Sequence, residues 1–214
     1  MRTPYRWPLA GSLFVSIVLA FQLAAGDYDG SVLRVKSAAP YAEPGVEGWG
    51  SAVAVDLSEF GLKGKYLLSA SHVVHGMARV EAEIDAHWTV ATVVYEDEDY
   101  DICIMKIEGA IKPLPLGRAV PEALVGVGFK WGLSPPAVSN GVCTGTSTNH
   151  NKAQWRAALA VGPGCSGGAV LTRDGKIAGI VIAGLAGKDG GMREDVTIFV
   201  PCTILRQWIE AQTK

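Results

Sequence analysis

Between Val32 and Ile107 the sequence breaks into short runs that read as strands: Val32–Lys36, Ser51–Asp56, Tyr66–Ser69, Arg79–Glu83, Thr89–Tyr95 and Ile102–Ile107. Strand periodicity is visible from Arg79 to Ile84, where Val80, Ala82 and Ile84 alternate with charged residues. Turn residues separate the runs, and 26 glycines with 11 prolines punctuate the chain as an all-β protein requires. The closely spaced prolines of Lys112-Pro113-Leu114-Pro115 resist both helix and central strand, so Glu108 to Pro121 reads as a crossing segment. A second strand-rich half runs from about Glu122 to Val200. Ile204 to Gln212 is the one convincing helix, with Pro201 near its start. At 214 residues and 49% hydrophobic, the chain can bury a sizeable core in one or two small domains.

Three segments carry chemistry. In Gly162-Pro163-Gly164-Cys165-Ser166-Gly167-Gly168, glycines surround a single serine. They let the backbone bend tightly and approach a bound molecule closely. A serine there can stand clear of the fold, with backbone N–H groups aimed at one spot. Acyl transfer needs this arrangement, because the tetrahedral intermediate places negative charge on the carbonyl oxygen. Upstream, the apolar run Tyr66-Leu67-Leu68-Ser69 ends in Ala70-Ser71-His72, and the acidic turn Asp99-Tyr100-Asp101 runs into Ile102–Ile107. A serine hydroxyl is a weak nucleophile until an imidazole takes its proton, and that imidazole needs a carboxylate to fix its tautomer. The order His72, Asp101, Ser166 divides these groups between the two halves of the chain. A site between the halves is expected.

Six segments in order resemble a trypsin-like serine peptidase, and their wording is nearest to the HtrA-type protease domain. They are Gly48-Trp49-Gly50-Ser51-Ala52-Val53, Leu67 to Val74, Asp101 to Ile107, Val125-Gly126-Val127-Gly128-Phe129, Gly162 to Gly168 and Ile198-Phe199-Val200-Pro201. The resemblance covers residues from about 30 to 212. It implies an all-β fold of two six-stranded antiparallel β-barrels, the chymotrypsin-like double barrel, with a short C-terminal helix. The expected division is an N-terminal barrel at 27–112, a linker at 113–121, and a second barrel with the terminal helix at 122–214. The resemblance also implies Ser166 as nucleophile, His72 as general base and acid, and Asp101 as the orienting carboxylate. Backbone N–H groups of Gly164 and Ser166 would form the oxyanion hole. No cofactor or metal is called for, and the partners would be protein or peptide substrates.

The same resemblance places the floor of the specificity pocket six residues before the nucleophile, at Ala160, with Val161 beside it and the strand Ile180-Val181-Ile182-Ala183-Gly184, of which Ile182, Ala183 and Gly184 lie at its end, as a wall. None supplies the buried carboxylate that would pair a basic substrate side chain. Cleavage after small or medium apolar residues is expected, and not after Lys or Arg. Self-activating trypsin relatives carry an aspartate where Cys165 stands, to receive a new N-terminal ammonium. Activation by N-terminal insertion is therefore not expected here. With the helix running to Gln212 and only two residues after it, the PDZ domain of full HtrA proteins is not expected.

The first residues read as a targeting segment. Arg2 and Arg6 precede an apolar stretch from Leu9 to Ala25, ending in small residues up to Gly26. Cleavage after Ala25 or Gly26 is the favoured reading, giving an exported (secreted or periplasmic) protein; an uncleaved membrane anchor over residues 9–25 is the alternative. Removing residues 1–26 makes the remainder more acidic by two charges than the net −2 of the whole. That balance gives no electrostatic case for nucleic acid or anionic membranes. Four cysteines, Cys103, Cys143, Cys165 and Cys202, are compatible with up to two disulfides in an exported protein. His75 reads as a surface residue, His87 and His150 as lacking strand-edge context, and Glu96 to Asp99 as a solvated turn. Two alternatives to an active endopeptidase remain. One is a catalytically silent relative that binds peptides on a face formed by Trp49, Trp131 and Trp155. The other is a virus- or phage-type processing peptidase of the same fold.

Overall fold

Thirteen strands dominate the computed structural model, which describes residues 28, 30–40, 47–149, 152–186 and 192–214. The proposed targeting segment and His150 lie outside these residues. The first barrel contains β1 (Val32–Ala38), β2 (Gly48–Asp56), β3 (Tyr66–Ser69), β4 (Arg79–Ile84), β5 (His87–Asp97) and β6 (Ile102–Ile107). Its hydrogen-bonded order is β1-β4-β5-β6-β3-β2, and pairing of β1 with β2 closes the ring. Closure removes the open edges that a flat sheet would present. The antiparallel registers bury the strand faces anticipated by the alternation: Val80, Ala82 and Ile84 of β4 point inward.

The crossing segment contributes β7 (Leu114–Pro115), which pairs in parallel with the end of β2. A two-residue strand beside a barrel tolerates the prolines that a central strand would not. The second barrel then forms from β8 (Ala123–Gly128), β9 (Ala137–Asn149), β10 (Lys152–Ala157), β11 (Ala169–Leu171), β12 (Ile177–Ala186) and β13 (Met192–Pro201). These close in the order β10-β13-β12-β11-β8-β9.

Two helical elements position the site and join the barrels. A single turn, α1 (Ser71–Val74), leaves β3 and carries His72. The terminal helix α2 spans Cys202–Gln212, two residues longer at its start than the sequence suggested, with Pro201 as its N-cap. Its buried face is Cys202, Leu205, Trp208 and Ile209, one stripe at helical spacing. Each large apolar side chain buried this way contributes about 1.5–3 kcal/mol. These four residues join a core cluster that also includes Val55 and Leu57 of the first barrel. Arg206 of α2 pairs with Glu59 through its two terminal guanidinium nitrogens, at 2.6 and 2.7 Å, and lies 5.0 Å from the Phe60 ring centroid. The helix therefore fastens the second barrel to the first.

Candidate active site

His72 is set by the way α1 leaves β3. Val73 and Val74 are buried, and Val73 packs on Gly50 so closely that a Cβ there would lie 2.5 Å from its methyl group. This holds the turn against β2 and leaves the His72 ring half-exposed. Asp101 ends the turn between β5 and β6 in a left-handed conformation, φ +57°. Aspartate tolerates that conformation better than most residues, and its presence beside a polar site marks a backbone held by its surroundings. The carboxylate accepts two hydrogen bonds from one residue: the His72 backbone N–H at 2.8 Å and its ring Nδ1 at 2.7 Å. With Nδ1 so engaged, Nε2 is the nitrogen left for a reacting group.

The acidic turn before Asp101 is more than a solvated loop. Glu96 accepts from the Ser71 hydroxyl at 2.6 Å and lies 3.0 Å from His75 Nδ1, while Glu98 lies 3.6 Å from His75 Nε2. These contacts tie both ends of α1 to the β5–β6 turn. Their partners lie in different strands and turns, so no local pattern disclosed them. His87, expected to lie away from a strand edge, opens β5 and bonds the Asp85 carbonyl at 2.7 Å.

Ser166 lies on the glycine-rich turn before β11. The Ser166 carbonyl accepts from the Ser51 N–H at 2.8 Å, which docks the turn on the first barrel. Gly167 adopts φ +83°, and a Cβ there would stand 2.0 Å from the Ser51 carbonyl. Only glycine fits. Gly164, at φ +88°, is equally confined: its Cβ would lie 2.5 Å from the Phe129 carbonyl and 2.8 Å from the Trp131 nitrogen. The Ser51 hydroxyl donates to the Gly164 carbonyl and accepts from the Phe129 N–H, both at 2.8 Å. The Pro163 carbonyl accepts from the Trp131 N–H at 2.6 Å. Because carbonyl and N–H point to opposite sides of a trans peptide, the Gly164 N–H is turned away from Trp131. Among the described residues, neither Gly164 nor Ser166 donates its N–H to a backbone acceptor.

His72 and Ser166 line one cavity of about 210 Å³, together with Val161, Gly162, Pro163, Val181, Ile182, Ala183 and Gly184. No hydrogen bond joins the two side chains here; such bonds are often loose until substrate arrives. Of the anticipated pocket residues, Val161, Val181, Ile182, Ala183 and Gly184 line this cavity, and Ile180 does not. Nor does Ala160: it is exposed, and its N–H bonds the Ser139 hydroxyl at 2.7 Å. Gly162 and Pro163 were not assigned to the pocket, although they adjoin Val161 in the glycine-rich segment. Among the described residues, no acidic side chain lines the cavity. Cys165 points the other way, into the second barrel's core against Gly128. All four cysteines are thiols, and burial pushes those of Cys103 and Cys202 up from the ordinary range. Trp49 and Trp131 are exposed, whereas Trp155 is partly buried against the second core, its ring centroid 6.5 Å from that of Phe199. Among the described residues, no cluster of three or more metal-binding side chains occurs, and no helix is long and apolar enough to cross a membrane.

A family model described as a trypsin-like peptidase domain matches residues 50–180. Solved structures share the fold. The HtrA-type protease AlgW with a tripeptide superposes with TM-score 0.69 at 23% identity, over 86% of this chain and 61% of that one. The same protease with a decapeptide gives 0.68 at 21%, over 85% and 64%. The active form of the Rv3671c protease from M. tuberculosis gives 0.67 at 17%, over 94% and 88%. The chain thus spans about three-fifths of the AlgW chains' length. No curated protein matches it.

Proposed function

This chain belongs to the trypsin-like peptidase family, and on that premise we propose that it is a serine endopeptidase acting through Ser166, His72 and Asp101. The observation that carries the reading is the Asp101 carboxylate on His72 Nδ1, with the same ring facing a cavity that Ser166 also lines. In this chemistry His72 Nε2 takes the Ser166 hydroxyl proton as Oγ bonds to the substrate carbonyl carbon. The resulting oxyanion accepts hydrogen bonds from the Gly164 and Ser166 N–H groups. The imidazolium, stabilised by Asp101, then gives its proton to the leaving amine as the C–N bond breaks. Water repeats the sequence on the acyl-enzyme. The orientation of the Pro163–Gly164 peptide supports a hole that is open before substrate binds.

The cavity's apolar lining and its lack of a carboxylate favour small or medium apolar residues before the cleaved bond. Peptide substrates fit this reading, and the two AlgW structures each hold a peptide. Export of the protein, with cleavage after Ala25 or Gly26, accords with the charged and then apolar composition of residues 1–26. N-terminal sequencing of the protein from the exported fraction should begin at Gly26 or Asp27; an intact Met1 would remove that part of the proposal.

The direct test is labelling of the purified protein with a fluorophosphonate, beside Ser166→Ala. The probe demands both an activated serine and a formed oxyanion hole. Labelling that is lost in the variant is the expected result. A folded wild-type protein that takes no label would overturn the assignment.

A further inference from the structure

We propose that Arg34, on β1 of the first barrel, is a positioning residue that holds the oxyanion turn of the second barrel open. The inference rests on the peptidase reading for its consequence, but its contacts stand independently. The Arg34 guanidinium donates to the Gly132 carbonyl at 2.8 Å and to Glu83 Oε2 at 2.8 Å. It also sits 5.5 Å from the Trp49 ring centroid and 5.1 Å from that of Trp88, two indoles packed edge to face at 5.8 Å. A planar cation fixed on two aromatic faces and by a carboxylate has little freedom left. Its donor to Gly132 is therefore aimed.

What that donor holds is the segment Phe129 to Leu133, which lies over the nucleophile turn. Trp49 is pressed onto the same segment: a Cβ on Gly132 would come within 2.7 Å of its ring. Trp131 adopts φ +58°, an unfavourable backbone for a bulky residue, and the residue is 60% exposed. The exposed side chain does little to hold that conformation, so the surrounding bonds must hold it. Its N–H is the donor that engages the Pro163 carbonyl and so directs the Gly164 N–H the other way. The line of contacts runs Glu83–Arg34–Gly132–Trp131–Pro163–Gly164. Loss of the Arg34 contact lets the Trp131 peptide relax, frees the Pro163 carbonyl, and allows the Pro163–Gly164 peptide to turn its N–H out of the hole.

The test compares wild type, Arg34→Met and Arg34→Lys by the second-order rate of fluorophosphonate labelling and by amide hydrogen exchange. Arg34→Met should label at least about tenfold more slowly, with the hundred- to thousandfold cost of outright loss of an oxyanion donor as the upper limit. Its Trp131 amide should exchange about tenfold faster or more, while Leu67 and Ile104 in the first barrel keep wild-type protection. Arg34→Lys retains a donor without the planar fork and should fall between; it carries the test if Arg34→Met does not fold. Wild-type labelling in the folded variants, or slow labelling without faster exchange at Trp131, would overturn the proposal. An unlabelled wild type whose Trp131 exchange still quickens in the variants would sink the peptidase reading and leave the clamp standing.

Discussion

Asp101 accepts two hydrogen bonds from His72, one from its backbone and one from its ring, so position and tautomer are fixed by the same carboxylate. The backbone bond anchors the start of α1, and the ring bond orients the imidazole. Asp101→Asn should therefore keep the fold, because an amide oxygen can still accept from the backbone. The amide can also hold the ring in the wrong tautomer. Under the proposed chemistry, turnover of an activated ester should fall about 10⁴-fold with the melting temperature within a few degrees of wild type. Steady-state kinetics beside a thermal melt would check this, and undiminished turnover would remove Asp101 from the mechanism.

Ser51 is fully buried, and its hydroxyl joins the Gly164 carbonyl to the Phe129 N–H. Ser51→Ala leaves both groups without that partner, at a cost of about 1–3 kcal/mol for each buried group left unsatisfied. Urea denaturation should show a lower midpoint with an unchanged slope. Fluorophosphonate labelling should slow as well, since the same hydroxyl fixes the Gly164 peptide.

Gly167→Ala is the more severe change. The added methyl would collide with the Ser51 carbonyl in a conformation that L-residues avoid. The strand-to-turn contact between Ser51 and Ser166 should open, and labelling should fall below detection even in protein that retains a β-rich circular dichroism spectrum. A labelled variant would show that the turn can shift without loss of the site.

Acid sensitivity should be traceable to the helix fastening. Hydrogen bonds from Arg206 hold the Glu59 carboxyl below its ordinary range. A carboxylate whose folded value is depressed adds stability above its unfolded value, about 4.3, and loses it as pH falls through the folded value. Glu59 is partly exposed, so screening keeps the contribution below about 1 kcal/mol. Chemical denaturation of Glu59→Gln should show a deficit that is steady near pH 7 and narrows toward pH 3. A deficit unchanged down to pH 3 would mean the pairing is neutral.

Peptide-library profiling tests the cavity. Lys or Arg at the position before the cleaved bond should be disfavoured about a hundredfold or more against Ala or Val, because a buried cation would find no carboxylate. Equal cleavage after basic residues would place the specificity site elsewhere.

The strands were legible because each contributes a local signature. Val80, Ala82 and Ile84 alternate, and Tyr66-Leu67-Leu68 is a short apolar run flanked by small residues. Both the existence and the limits of β3 and β6 follow from such patterns. The long strand β5 exceeds its expected span, Thr89–Tyr95, by two residues at each end, because barrel strands continue outward into hairpins where alternation weakens. The helix begins at Cys202, directly after its N-cap Pro201 and two residues before the expected start, because Cys202 and Thr203 carry no helical signal of their own. Chemical candidates were legible for a related reason: Ser166 sits among glycines, and His72 and Asp101 lie where apolar strands meet turns. Their surroundings were not. Nothing near Arg34 in sequence points to Gly132, and nothing near Glu96 points to Ser71. Ala160, placed by counting along the chain, is exposed and does not line the cavity that its neighbour Val161 lines.

The Ser51 contacts also bear on when this protein acquires reactivity. One residue of the first barrel supplies its N–H to Ser166 and its hydroxyl to Gly164. A chain that has completed only the first barrel holds an imidazole beside a carboxylate and nothing for them to activate. A second barrel folded alone holds a serine whose turn lacks its stay. Under the proposed chemistry, reactivity arrives at the moment of docking, when little unfolded chain of its own is left to attack. Assembly of the two halves is in that sense the protein's safety catch.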